Sequence, residues 1–336
     1  MINFVLLIAA VIEPQKSCCV KINLVTPAKK NDRNGNRTSA LRWAKLLQQL
    51  GHKVQVESEY NNEAVDLLIV LHAFRSAQSI ERYKLLYPHG PLVVALGGTD
   101  INTYLKTDPE VTLKSIHLAD TLVCLHDLIA HELPTEYLPK LHVIYQSAGA
   151  LSQQKKPRIR TFDVCVIGNL RPEKDPFRTV IASQLLPIES RIRVVHLGKA
   201  INSKWQQEAL KFVQNSPRYY WRGEVPKWQV RQELSRTRIM VISSNQEGGA
   251  NVISEALMAG VPIIASKISG NVGLLGADYP GYFELGNEKA LAELLYRAET
   301  DPVFLSLLER SCVRLALKFT AEFESLAWQS LLNQFR

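Results

Sequence analysis

Short apolar runs alternate along this chain with longer stretches of helical period. In the first half, Lys21–Thr26, Lys53–Glu57, Asp66–Leu71, Pro91–Leu96, Thr121–Leu125 and His142–Tyr145 predict strands. Asp66–Leu71 is nearly all apolar, as expected of a central strand buried on both faces. Helices are predicted over Thr38–Leu50, Ser76–Leu86 and Pro109–Leu118. In the first of these, Trp43, Leu46, Leu47 and Leu50 share one face, and Gly51 ends it. Gly149–Arg160 is polar and basic, is broken by Pro157, and reads as a hinge. The alternation then restarts, with strands at Phe162–Ile167, Arg191–Leu197, Tyr219–Trp221, Ile239–Ile242 and Pro262–Ala265. Helices are predicted from Asp175, over Asn202–Gln214, Trp228–Ser235 and Asn251–Ala259, and Ile268–Pro280 reads as a glycine-rich loop. A final helix over Ala321–Phe335 would carry Phe323, Leu326, Ala327, Leu331 and Phe335 on a common face.

Strands alternating with helices imply an α/β fold with parallel, doubly wound sheets. The restart after residue 160 implies two of them, Rossmann-like, facing each other across a cleft. The organisation expected is a tail over 1–20, a first domain over 21–150, a linker over 151–161, a second domain over 162–318 and a crossing helix over 319–336. The 336 residues are enough for two such cores.

Composition narrows the function. With 46% apolar and 21% charged residues the chain reads as a globular enzyme. The net charge of +8 is compatible with nucleic acid, but no helix-turn-helix, zinc-finger or aromatic RNA-binding pattern accompanies it. Small polyanionic substrates account for it more simply. Basic residues gather at Lys29, Lys30, Arg33, Arg37 and Arg42, and again at Lys155, Lys156, Arg158 and Arg160. The five cysteines lack metal-ligand spacing, and their odd number fits a reducing, cytoplasmic compartment. Phe4–Ile12 is apolar but too short to span a bilayer, and no basic segment precedes it, so no integral membrane association is expected.

The chemistry concentrates in Ser244–Gly260. Strand Ile239–Ile242 leads into Glu247-Gly248-Gly249-Ala250-Asn251 and then a helix ended by Gly260 and Pro262. The paired glycines let a ligand approach the backbone, and free N–H groups at the helix start favour negative charge. Glu247 and Glu255 bracket this gap, and their acceptor-only side chains suit sugar and ribose hydroxyls. Arg171 and Lys174 follow strand Phe162–Ile167, at Gly168-Asn-Leu-Arg-Pro-Glu-Lys174, where cations would neutralise a leaving diphosphate without a metal. In the first domain, Gly35, Asn36 and Arg37 precede a helix start. His72, Arg75 and Ser76 close a central strand, as Gly97-Gly98-Thr99-Asp100 closes the next. His72 is as readily a buried structural histidine as a site residue.

The Glu247-x7-Glu255 spacing resembles the signature of retaining GT-B glycosyltransferases, and Gly168-x-x-Arg171-x-x-Lys174 resembles their diphosphate-binding motif. The resemblance implies Arg171, Lys174 and Glu247 at the transfer step. It further implies Gly168, Gly248, Gly249, Ala250, Asn251 and Glu255 around the donor, and no metal. It also implies that the last helix crosses back onto the first domain. Many retaining relatives carry a histidine where Gly97-Gly98-Thr99-Asp100 stands here. Lacking an evident base, the acceptor side is expected to take a small, anionic, strongly nucleophilic acceptor at Gly35, Asn36, Arg37, His72, Arg75, Ser76, Thr99 and Asp100.

Longer runs narrow the resemblance. Asn36-Arg-Thr-Ser-Ala-Leu-Arg-Trp-Ala44, Leu71-His-Ala73, Asp175-Pro-Phe177, Glu247–Ala256, Gly270-Asn-Val-Gly-Leu-Leu-Gly-Ala-Asp-Tyr-Pro-Gly-Tyr-Phe283 and Ala298-Glu-Thr-Asp-Pro302 look like the selenosugar synthases (SenB) of selenoneine biosynthesis. That family is associated with transfer of N-acetylglucosamine from a UDP-sugar to the selenium of selenophosphate, which a selenophosphate synthetase supplies. No cofactor is implied beyond these two substrates. An O-glycosyltransferase with a hydroxyl acceptor and a non-catalytic nucleotide-sugar binder are the alternatives.

Overall fold

The structure, a computed structural model, describes residues 19–31, 35–152 and 155–335. The apolar stretch Phe4–Ile12 and Arg33 of the basic cluster lie outside them.

The first lobe runs β1 (Lys21–Val25), α1 (Gly35–Gln49), β2 (Lys53–Glu57), β3 (Leu67–Leu71), α2 (Ala77–Leu86) and β4 (Leu92–Ala95). A π-turn over Asp100–Tyr104 leads into α3 (Leu105–Thr107), followed by α4 (Pro109–Leu118), β5 (Thr121–Cys124) and β6 (Leu141–Val143). The second lobe runs β7 (Phe162–Ile167), α5 (Arg178–Gln184), β8 (Ile192–Leu197), α6 (Ser203–Asn215), β9 (Tyr219–Trp221), α7 (Lys227–Arg236) and β10 (Ile239–Ile242). It continues through α8 (Asn251–Met258), β11 (Ile263–Ser266), α9 (Ser269–Leu275), β12 (Tyr282–Phe283), α10 (Glu288–Thr300), α11 (Pro302–Ala316) and α12 (Ala321–Leu332).

Both sheets are parallel and six-stranded, ordered β2-β1-β3-β4-β5-β6 and β12-β11-β10-β7-β8-β9. Every residue of β3 and of β4 is buried, as their apolar runs require. The strand order of the second sheet reverses between β7 and β10, which run parallel, so the loops leaving those strands border one crevice at their C-terminal ends.

Two sequence expectations change. Ile268–Pro280 is not a loop throughout, because α9 occupies Ser269–Leu275. Its polar residue turns inward: Asn271 is fully buried and its Nδ2 donates to the Ser266 carbonyl at 2.9 Å. Its glycines serve close packing, which the sequence shows only as apparent looseness.

Of the face expected for the last helix, Ala327, Leu331 and Phe335 pack on the core and Phe323 and Leu326 do not. Trp328, Leu331 and Leu332 enter the first lobe's core beside Ile22, Leu24, Trp43 and Leu47, while Phe323 and Leu326 are exposed. Trp43 and Trp328 meet edge to face with ring centroids 5.0 Å apart. The chain's last helix therefore completes the first lobe's core. Among the described residues no helix is long and apolar enough to cross a membrane.

Candidate functional site

The loops that leave β7 and β10 are sewn together by backbone bonds. Asn245 N donates to the Glu173 carbonyl at 2.8 Å and Ser243 Oγ to the Asp175 carbonyl at 2.9 Å. A short 3-10 turn, Pro172–Lys174, ends at Asp175, whose left-handed φ of 40° redirects the chain toward α5. This geometry points Lys174 across the crevice. Its Nζ reaches Glu247 Oε1 at 2.5 Å, and Ser244 Oγ donates to the same oxygen at 2.6 Å. Arg171 stands half-exposed at the mouth, 3.9 Å from Glu173. Gly168 lies beneath Lys174, and its carbonyl accepts from the buried His196.

Gly248 and Gly249 face the other lobe. A Cβ built on Gly248 would lie 2.1 Å from Gly98 Cα, and one on Gly249 2.4 Å from Leu125 Cβ. Neither position admits a side chain, and Gly249 has a φ of 128°. Gly270 of α9 backs the same loop, its Cβ position 2.2 Å from the Glu247 carbonyl oxygen. Asn102 donates to the Gly98 carbonyl at 2.8 Å and reaches the Glu247 carbonyl at 3.4 Å, so one amide spans both lobes.

Ala250 caps the start of α8 without a side-chain bond, and Asn251 is held from the first lobe by Arg42 Nη1 at 3.0 Å. Arg42 also binds the buried Glu324 and Gln146. Glu255, one turn into α8, lies 3.9 Å from Lys227. Burial raises its carboxyl above the ordinary range, against the pull of Lys227, Arg42 and Arg231.

On the first lobe, Gly35, Asn36 and Arg37 form the first turn of α1 rather than a preceding loop, and Gly35 sits near Asn251. Arg75 is exposed. Ser76 is buried and spends its hydroxyl on the Leu71 carbonyl at 2.8 Å. Asp100 is fully buried and accepts the backbone N–H groups of Ala73, Phe74 and Gly97 at 2.9, 3.0 and 2.8 Å. It thereby clamps the loop after β3 to the loop after β4.

His72 completes the clamp. Its Nδ1 lies 2.5 Å from Asp100 Oδ1 and its Nε2 2.6 Å from Thr99 Oγ1. Its backbone is left-handed, with φ 77°, a conformation that costs a non-glycine residue roughly 1–3 kcal/mol. A carboxylate-oriented imidazole therefore stands beside the Gly97–Gly98 loop. Sequence reading missed the pairing because 27 residues separate His72 from Thr99. It equally missed Asn102, Gln146 and Glu324, which become neighbours of the cleft only through the fold.

Among the described residues, no three His, Cys, Asp or Glu side chains gather in a way that could hold a metal.

Residues 150–314 match the family model described as glycosyl transferases group 1. The chain is 23% identical over 297 residues to glycosyltransferase 1 domain-containing protein 1 of Xenopus tropicalis, covering 80% of this chain and 85% of that protein. It is 24% identical over 212 residues to the UDP-Gal:alpha-D-GlcNAc-diphosphoundecaprenol alpha-1,3-galactosyltransferase of Escherichia coli, covering 59% of this chain and 53% of that enzyme. Among solved structures, Anabaena HepE in complex with UDP superposes with a TM-score of 0.75 at 15% identity, over 94% of this chain and 100% of that one. That likeness is one of fold.

Proposed function

We propose that this chain of GT-B architecture, whose residues 150–314 match the group 1 glycosyl transferases, moves N-acetylglucosamine from UDP to the selenium of selenophosphate. UDP leaves first and phosphate afterwards. In this reading the nucleotide lies against the second lobe, where Glu255 takes the ribose hydroxyls and the α8 N-terminus, Arg171 and Lys174 take the diphosphate. Glu247 orients the sugar. Arg37 and Arg75 hold the acceptor from the first lobe, and the enzyme works in the cytosol on selenophosphate supplied by a synthetase. The unit 21–150 then serves the acceptor and 162–318 the donor, joined by 151–161 and by the crossing helix 319–336.

One observation supports the selenium assignment: Gly270–Phe283, the run most specific to the selenosugar synthases, packs against Glu247 and the first lobe. Gly270 backs Glu247, and Gly273 lies against His126 of the first lobe, its Cβ position 2.3 Å from His126 Nδ1. Part of the sequence resemblance thus lies where the Glu247 loop and the first lobe meet. A second reading, transfer to a hydroxyl, is favoured by the His72–Asp100 pair, since an alcohol gains most from a base.

Incubation with UDP-N-acetylglucosamine and selenophosphate, followed by mass spectrometry, tests both. A selenium-bearing sugar together with UDP supports the assignment. UDP without selenium incorporation moves it to another acceptor.

A further inference from the structure

We propose that Asp100, His72 and Thr99 form a proton relay that receives the acceptor's proton during transfer, with Thr99 Oγ the atom that meets the acceptor. This rests on the reading of the cleft as the transfer site. It holds for either protic acceptor, hydrogen selenophosphate or an alcohol.

The relay follows from the bonds each group has left. Asp100 is an acceptor already clamped by three backbone N–H groups, so its 2.5 Å contact with Nδ1, far shorter than the 3.4 Å approach of the Arg75 N–H to that nitrogen, fixes the imidazole proton on Nδ1. Nε2 is then a lone-pair acceptor and takes the Thr99 hydroxyl proton at 2.6 Å. With its own hydrogen turned inward, Thr99 Oγ presents lone pairs outward. His72 is only 3% exposed, whereas Thr99 is partly open, so Thr99 is the face a ligand reaches.

Position supports the same conclusion. Thr99 directly follows Gly98, whose Cβ position lies 2.6 Å from Gly248 N of the donor loop. Gly97 leaves room for the ring, its Cβ position 3.0 Å from His72 Cδ2. Tyr104 closes the far side with its ring centroid 5.8 Å from that of His72. A strained backbone, a buried carboxylate behind an imidazole and a hydroxyl in front of it converge beside Gly98, where the first lobe meets the donor loop.

The step balances as follows. The acceptor atom bonds to the anomeric carbon as the bond to the nucleotide oxygen breaks, its electron pair leaving on the diphosphate. The acceptor's proton passes to Thr99 Oγ while the Thr99 proton passes to His72 Nε2. Solvent takes it from the imidazolium once product has left. Thr99 is the catalytic contact, His72 the proton store behind it, and Asp100 a positioning residue.

His72→Gly is the decisive variant, because glycine adopts φ 77° freely and leaves an imidazole-sized void. UDP release is followed with and without selenophosphate, alongside UDP affinity by calorimetry. The relay predicts a fall in kcat of roughly a hundredfold or more, with UDP affinity unchanged and activity partly restored by added imidazole. Thr99→Ser retains most activity and Thr99→Val loses it. Wild-type kcat in His72→Gly, or a loss that imidazole does not restore while UDP still binds, overturns the relay. If the wild type releases UDP only to water or an alcohol, the selenophosphate assignment falls, and the same variants still decide the relay on that turnover.

Discussion

Lys174 Nζ and Glu247 Oε1 lie 2.5 Å apart although they belong to loops that leave different strands, β7 and β10. The pair spans the crevice where the strand order of the second sheet reverses. Each ion neutralises the other in a partly buried setting, which holds both side chains in place as the proposed diphosphate and sugar contacts require.

Lys174→Ala removes the cation poised for the leaving group and leaves Glu247 without its partner. A fall in kcat of roughly a hundred- to a thousandfold is expected, comparable with deletion of one preorganised electrostatic stabiliser. Steady-state kinetics check this, and an unchanged kcat would place the diphosphate elsewhere.

Glu255 carries a carboxyl raised by burial, so its charged form is disfavoured in the fold. The folded state holds its proton more tightly than the unfolded chain, in which it titrates near about 4.3. Its contribution therefore falls as pH rises above that value and is fully unfavourable above its raised pKa. Glu255→Gln should raise the thermal midpoint of the ligand-free protein at neutral pH while weakening UDP binding by about 1–3 kcal/mol. Calorimetry that finds UDP affinity intact removes Glu255 from the ribose site.

Gly98→Ala tests the contact between the lobes. Its Cβ would meet Gly248 N at 2.6 Å, backbone against backbone, so the closed arrangement must loosen. Overpacking of this kind costs about 1–3 kcal/mol, predicting roughly a 5–150-fold loss in kcat/KM with little change in the melting of either lobe. A larger radius of gyration in solution scattering should accompany the loss.

His196 is wholly buried between Tyr219 and the Gly168 carbonyl, and burial pushes it down to about 4. The unfolded chain binds its proton near 6.5, so this contribution is present above that pH and lost as pH falls from about 6.5 through 4. His126, pushed down to about 4 by burial, acts in the same sense. Thermal midpoints measured across that window should fall with acidity, less steeply in His196→Gln.

Glu324 is fully buried on α12 and accepts from Arg42, Trp43 Nε1 and Ser147 N. Glu324→Ala strands the Arg42 guanidinium and two further donors, a loss of roughly 3–5 kcal/mol. Urea unfolding should show the first lobe failing early.

Much of this molecule was legible because strand and helix periods are local properties. The apolar run Leu67–Leu71 could hardly be anything but a central strand, and Gly248-Gly249 after Ile242 announced a turn open to ligand. What escaped was set by tertiary contact. α9 looked like a loop because its glycines, which lower helix propensity, are there to let Glu247 and His126 approach. The buried face of α12 is only partly legible, because Glu324 points inward to partners on α1, which no periodicity of hydrophobic residues reveals. Asp100 and His72 looked like separate candidates until the sheet brought their loops together.

Ala148 N donates to the Phe319 carbonyl at 3.1 Å, joining the two places where the chain passes from lobe to lobe. The strand beyond is tied down as well, with Lys156 N on the Ser235 carbonyl and Arg231 on the Gly149 carbonyl. The two passages are thereby held side by side, so neither can shift without carrying the other.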